Sequence, residues 1–371
     1  MQDFKYWKTK HDNESLAEFT SDLSGLLWLK IKSIFRKELV VEFLKDNDHL
    51  QLHETKANKK FEEFYNLLST DLENSHRILD VYIREKNLLQ NASIDKRQLV
   101  SELYKLRYFE WGDHQNDLNK LLVSRYVKIY KSYDDLLSKF EIEIHSLVRN
   151  YVLNSWYNHW SNILIEHIFK SHNKVLPTVG QVKSVDFFIN KIPFDLKTTY
   201  LPAEYIKEKR DEKGYPVELT FLKAKAKQAN ISFDKSAKPG DILYSITEQM
   251  RDKNDTFCNG VLKQLKEEKL EILQNAQNNP KMLSKWLYEN QSTPRFGSEN
   301  RLYLILVDTE DFSNSWKLKR DLPLLEPFIN NYLDAFQYDI GNTTELKVSF
   351  NFPKNSTTNY DSYSDVLFIV K

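Results

Sequence analysis

Residues 183–200 read Lys183-Ser-Val-Asp-Phe-Phe-Ile-Asn-Lys-Ile-Pro-Phe-Asp-Leu-Lys-Thr-Thr-Tyr200. Two β-rich runs, Val185 to Ile189 and Ile192 to Thr199, flank Asn190-Lys191, and this spacing predicts a hairpin with a two-residue turn. Asn tolerates the positive φ such a turn needs, although Lys is a poor substitute for Gly at the second turn position. A two-residue loop fixes the register: Ile189 faces Ile192, Phe188 faces Pro193, Phe187 faces Phe194, and Asp186 faces Asp195. Alternation then puts Val185, Phe187, Ile189, Ile192, Phe194 and Leu196 on one face, and Asp186, Asp195 and Lys197 on the other. The expectation is one core face and one chemical face. Asp186 and Asp195 fall at a non-hydrogen-bonded pair, where Cβ atoms lie about 4.5 to 5.5 Å apart. Pro193 falls at such a site too, so its missing N–H costs the hairpin nothing. Like charges placed opposite one another destabilise a sheet unless a cation sits between them. A divalent metal, helped by Lys197, would supply that cation.

Asp186 followed nine residues later by Asp195-Leu196-Lys197 resembles the PD-(D/E)xK nuclease motif, with Val185 standing where the motif's name has Pro. Members of that superfamily often add a Glu from a preceding helix. Glu166, in Trp160-Ser-Asn-Ile-Leu-Ile-Glu-His-Ile-Phe169, is twenty residues upstream of Asp186 and suitably placed. The resemblance spans residues 155–200. It implies a restriction-endonuclease-like α/β core, a mixed sheet flanked by helices. It further implies that Mg²⁺, or Mn²⁺ in its place, is held by Asp186, Asp195, the Leu196 carbonyl and Glu166, that Lys197 serves the attacking water, and that the substrate is DNA.

Composition limits the alternatives. Lys plus Arg and Asp plus Glu both number 53 in 371 residues, so the net charge is zero and any nucleic-acid binding must come from local patches or a metal-filled cleft. The single Cys258 rules out a disulfide within the chain and a Cys-based zinc site, and a reducing, cytoplasmic compartment is expected. All nine His residues lie at or before His172, so a catalytic triad, an HNH-type nuclease or a His-ligated zinc centre in the C-terminal half is excluded by inventory. Hard oxygen ligands remain there, and these suit Mg²⁺ or Mn²⁺. The opening Met-Gln-Asp-Phe-Lys-Tyr-Trp does not read as a signal peptide, and no apolar run is long enough to span a bilayer. No Gly-rich phosphate loop follows a strand, which speaks against a nucleotide-hydrolysing or dinucleotide domain.

All ten prolines lie from Pro177 onward, and only Gly25 and Gly112 interrupt the first 176 residues. Residues 1–150 are therefore expected to form an all-helical domain, and 151–371 the nuclease-like domain. Phe61, Phe64, Leu68, Leu72, Leu79 and Tyr82 step along one helix face. A longer stripe runs Leu122, Tyr126, Ile129, Tyr133, Leu136, Phe140, Ile144, Leu147; it would pack within its own bundle or pair two protomers as a coiled-coil-like seam. Arg107-Tyr-Phe-Glu-Trp-Gly-Asp-His114 has the Arg and His spacing of some HEPN ribonucleases, a loose pattern, and Gly112 should break the helix there. Ser155 reads as the N-cap of a helix reaching Ser171, with Asn162 and Glu166 on one face. Residues 173–183 read as a loop.

Beyond the hairpin, the charged segment Lys207 to Lys213 reads as a solvated loop or helix face. Leu219 to Ala229 reads as a helix bearing Lys223 and Lys227, which serve solubility or contact phosphate. Helices are expected around 241–250, 260–276 and 281–290. Within Arg301 to Asp308, the run Leu302 to Val307 is continuously apolar and should be a strand buried on both faces. Leu346 to Phe350 and Val366 to Val370 add two strands. Three uses of such a chain compete: a type II restriction-like enzyme that could dimerise through its helical half, an effector nuclease of a bacterial antiphage defence system awaiting a partner protein, and a non-catalytic nuclease-like scaffold.

Overall fold

The computed structural model describes residues 2–13, 15–107, 122–130, 132–290 and 299–371. The HEPN-like pattern after Arg107, and residues 291–298, lie outside the described residues. Six strands are hydrogen-bonded in the order β1-β2-β3-β4-β6-β5: Val175–Val182, Val185–Ile189, Ile192–Tyr200, Arg301–Val307, Asn359–Val370 and Lys347–Asn351 for β1, β2, β3, β4, β6 and β5. The β1-β2, β2-β3 and β5-β6 pairs are antiparallel and β4-β6 is parallel, so the sheet is open and mixed, in an α/β fold. Among the described residues no helix is long and apolar enough to cross a membrane.

The chain divides into two compact units, Met1–Leu196 with Trp316–Thr343, and Lys197–Ser315 with Thr344–Lys371. This division does not follow a boundary at residue 150, because the N-terminal helices pack on β1 and β2 instead of forming a separate core. Those helices are α1 Phe4–Asp12, α2 Leu23–Ile34, α3 Lys37–Asp46, α4 Ala57–Ser69, α5 Leu72–Ala92 and α6 Lys96–Leu103. α2, Leu-Ser-Gly-Leu-Leu-Trp-Leu-Lys-Ile-Lys-Ser-Ile, is buried nearly all round, as a helix at the centre of a core must be. Its far end lies directly on β1. The Ser33 hydroxyl accepts the Val179 N–H at 3.0 Å, and a Cβ on Gly180 would overlap the Ser33 carbonyl, so only Gly fits. From α5, Arg84 donates to the Val175 and Asn173 carbonyls. The expected stripe from Phe61 to Tyr82 is split between α4 and α5, because Asp71 caps α5 by accepting the Asn74 N–H at 3.1 Å.

The longer stripe also differs from expectation. A single π-helical turn, Val123–Val127, is followed by a break, by α7 Tyr133–Lys139 and by a second π turn, Phe140–Ile144, leading into α8, His145–Ser171. Val127, Ile129, Tyr133 and Phe140 are exposed rather than packed in a bundle. Ser155 lies inside α8 and caps nothing, since neither Gly nor Pro occurs between Gly112 and Pro177 to interrupt the helix. Within residues 173–183, Val175–Val182 form an edge strand, β1, instead of a loop. Pro177 is tolerated because β1 is at the sheet edge, and a shift in register between Pro177 and Val182 absorbs the irregular geometry. On the sheet face opposite the N-terminal helices, Phe169 of α8 stacks on Phe187 at 5.2 Å. Phe336, just past α14 (Leu322–Ala335), meets Phe194 edge-on at 6.1 Å.

The second unit holds α9 Ala203–Glu212, α10 Glu218–Gln228, α11 Pro239–Lys253, α12 Thr256–Asn278 and α13 Pro280–Glu289, with β4 to β6. All seven residues of β4 are buried, as the continuous apolar run predicts for a strand in the interior of an α/β sheet. Tyr288 of α13 stacks on Phe350 of β5 at 4.3 Å. Burying the charged pair Arg210–Glu268 ties α9 to α12, with Arg210 also donating to the Pro216 carbonyl at 3.0 Å.

Candidate active site at the β2-β3 hairpin

The hairpin has the register its sequence predicts: Ile189 pairs with Ile192, Phe188 with Pro193, and Phe187 with Phe194. Asn190 and Lys191 both take positive φ, 46° and 73°, the mirror-image turn whose twist matches the strands. One step further along, this register sets Asp186 against Asp195. Regular pairing ends before that step, and the side chain of Asp186 takes over: its Oδ2 accepts the Leu196 N–H at 2.8 Å. The backbone here is held from the other side by β1, where Thr178 Oγ1 donates to the Asp186 carbonyl at 2.9 Å.

The acid-bearing face is not an open chemical surface along its length. Phe188 is fully buried in the core built by the N-terminal helices, Pro193 is buried, and Asp195 is only 6% exposed. These two acids therefore sit at the margin of a core, where removing water makes their mutual repulsion strong. Burial pushes the Asp186 carboxyl up to about 7. The charges of Asp195 and then Glu166 push in the same direction, while the Leu196 N–H and Lys170 oppose them.

Glu166 comes from α8, whose Leu164, Ile165, Ile168 and Phe169 are buried. Its half-buried carboxylate carries a partner that sequence reasoning overlooked. Lys170, one turn on, places Nζ 2.7 Å from Glu166 Oε2. The signal was present as an i,i+4 Glu-to-Lys spacing, but such spacing is common on solvated helix faces. Two turns and one turn earlier on the same face, Asn158 and Asn162 accept from the Nζ of Lys319 at 3.0 and 3.3 Å. Lys319 is 1% exposed, and burial lowers its ammonium to about 7.

Lys197 follows Asp195 by two residues in β3, hence on the same side of the strand, and is half-buried. Lys223 and Lys227 lie on α10 in the second unit, Lys223 with its ammonium 5.9 Å from the Phe233 ring and Lys227 exposed.

The donor set at the hairpin suits a hard divalent cation: two carboxylates from facing strands, all oxygen, with the Leu196 carbonyl next in the chain. Among the described residues no three His, Cys, Asp or Glu side chains stand close enough to form a cage of their own. Mg²⁺ does not require one, since it is commonly bound through one or two carboxylates and retains several waters.

No family model matches the chain, nor does a curated protein or a solved structure. The resemblance to PD-(D/E)xK nucleases therefore rests on Glu166, Asp186, Asp195 and Lys197, and on the helix and hairpin that carry them.

Proposed function

We propose that this chain is a Mg²⁺-dependent endonuclease, with Mn²⁺ able to substitute, that hydrolyses phosphodiester bonds of DNA in the manner of type II restriction enzymes. The observation that carries this reading is the pair Asp186 and Asp195 on the facing strands of a two-residue hairpin, where the Asp186 side chain accepts the Leu196 N–H and Asp195 is only 6% exposed. When bound, the cation supplies a Lewis acid for the phosphate oxygen and lowers the pKa of a water. Asp186 and Asp195 would hold it, with the Leu196 carbonyl and Glu166 as the further ligands that the resemblance implies. Lys197 orients the attacking water and stabilises negative charge as it develops on the phosphate. Lys223 and Lys227 are assigned, at most, contacts to phosphates away from the reacting bond. DNA rather than RNA is chosen on the resemblance.

A second reading is an effector nuclease of an antiphage defence system, switched on by a partner protein or by self-association. The exposed Val127, Ile129, Tyr133 and Phe140 favour it, since apolar groups gathered along one short stretch are a common mark of an interaction surface. Digesting a defined plasmid in Mg²⁺ and in EDTA separates the readings. Discrete fragments in Mg²⁺ alone support the restriction-like enzyme, and smearing supports the effector. Intact plasmid with the chain alone counts against the restriction-like enzyme and supports an effector that needs its partner.

A further inference from the structure

Residues 219–238 hold five lysines and a single acid, Asp234, in a chain whose net charge is zero. Three of those lysines, Lys223, Lys225 and Lys227, stand on α10, and among the described residues no carboxylate pairs with any of them. Elsewhere in the second unit lysines are commonly neutralised: Lys209 pairs with Glu212, Lys263 with Glu267, and Lys269 with Glu218. On α10, rings take the place of acids. The Lys223 ammonium lies 5.9 Å from the Phe233 ring, and that of Lys225 lies 5.4 Å from Phe221 and 5.9 Å from Phe257. A ring holds an ammonium in place without cancelling its charge.

The positions of these lysines round the helix select what they can meet. Leu222 and Ala226 are buried in one core with Ile246 and Met250 of α11 and Cys258 of α12. At about 100° per residue, Ala224 then stands at the crest of the outward face with Thr220 and Gln228 beside it, and all three are exposed. Lys223 and Lys227 emerge on one shoulder, Lys225 and Phe221 on the other. An uncharged crest between two cationic shoulders is the complement of a groove with two anionic walls. Duplex DNA has such a groove: the major groove, about 12 Å wide, admits a helix, and phosphates line both of its edges. The minor groove, about 6 Å wide, is too narrow. We propose that α10 docks in the major groove of duplex DNA, with its lysines on the flanking phosphates and Thr220, Ala224 and Gln228 toward the base edges. This docking rests on the nuclease reading above for DNA as its ligand, and is independent of the metal site.

The test is binding of the full-length chain to a fluorescently labelled DNA duplex of mixed sequence, followed by anisotropy in EDTA over a range of KCl concentrations. Wild type is compared with Lys223→Gln/Lys225→Gln/Lys227→Gln and with Ala224→Glu. A control, Lys263→Gln/Lys281→Gln/Lys285→Gln, removes the same charge from lysines paired with Glu267, Glu345 and Glu289. Circular dichroism verifies that each protein is folded. The expected result is salt-dependent binding by wild type, and for the α10 triple variant a loss of about tenfold or more, with the slope of log affinity against log salt smaller by about 2 to 3. Ala224→Glu, which sets an acid between the two phosphate walls, should also lose about tenfold or more. The control should bind within about threefold of wild type. The duplex should be preferred to a single strand of the same sequence. Equal losses for the control and the α10 triple variant, unchanged binding by Ala224→Glu, preference for the single strand, or no binding by wild type overturns docking of α10 in the groove. Losses confined to the α10 variants support it whether or not Mg²⁺ then brings cutting, so that the docking and the nuclease reading can fail separately.

Discussion

The side chain of Asp186 accepts the main-chain N–H of Leu196, on the neighbouring strand, at 2.8 Å. That bond fixes one oxygen of the first acid against the strand that carries the second, just where regular pairing between β2 and β3 has stopped. A carboxylate anchored in this way pays little further entropy to hold a ligand with its remaining lone pairs. Asp195, on that same strand, is only 6% exposed.

Asp186→Asn should stabilise the metal-free protein at alkaline pH. Folding raises this carboxyl to about 7 from its ordinary value near 4, so between those limits the folded state binds more protons than the unfolded state. Its contribution to stability is therefore full below the unfolded value and falls as pH rises toward about 7. Asparagine has no charge to desolvate and can still accept from Leu196. Urea unfolding in EDTA at about pH 8 should show a gain of about 1 kcal/mol or more for the variant, shrinking toward about pH 4. A loss of stability at the higher pH would contradict the burial argument.

Metal binding should release protons near neutrality. A cation needs the ionised carboxylate, so affinity should climb with pH and level off once Asp186 has lost its proton, above about 7. Titrations in two buffers of different ionisation enthalpy should report a net proton release near pH 6.5 that vanishes by about pH 9. Affinity independent of pH over that interval would show that Asp186 is not a ligand.

Lys197→Ala should separate binding from chemistry. If the amine acts on the attacking water and on developing charge, kcat should drop by about 10²-fold or more. Mg²⁺ affinity should not weaken, because no metal ligand has been removed. A comparable loss in metal binding would instead make Lys197 a structural support of the site.

Gly180→Ala should damage the fold around the hairpin without touching any acid. The added methyl meets the Ser33 carbonyl, a backbone atom of α2 that cannot swing aside. The expected cost is about 2 kcal/mol or more in chemical denaturation. A neutral substitution would mean that α2 can retreat from β1, and that the N-terminal helices hold the hairpin loosely.

The hairpin was legible in the sequence because every local signal agreed: apolar residues at matching distances from Asn190-Lys191, a proline at a site needing no N–H, and a turn residue that accepts positive φ. β4 was legible for a similar reason, as seven consecutive buried positions leave no polar face to mislead. β1 was not, since Pro177 and Gly180 are loop signals wherever a strand is not at an edge or pressed against a helix. The start of α8 was missed because Ser155 looks like a cap, and a cap is decided by what the preceding residues do. No pattern in the chain announces that Trp316–Thr343 returns to pack with the first unit. The pairing of Glu166 with Lys170 was not singled out, because a Glu-to-Lys spacing of one turn is common on helix faces.

The most direct test is cleavage of supercoiled plasmid DNA by purified wild type and by Asp195→Ala, with Mg²⁺ or EDTA present and folding of both proteins verified by circular dichroism. The account predicts strand cutting by wild type in Mg²⁺ only, and none by the folded variant. Equal cutting by Asp195→Ala, or cutting by wild type that EDTA leaves untouched, would contradict a metal ion shared between Asp186 and Asp195.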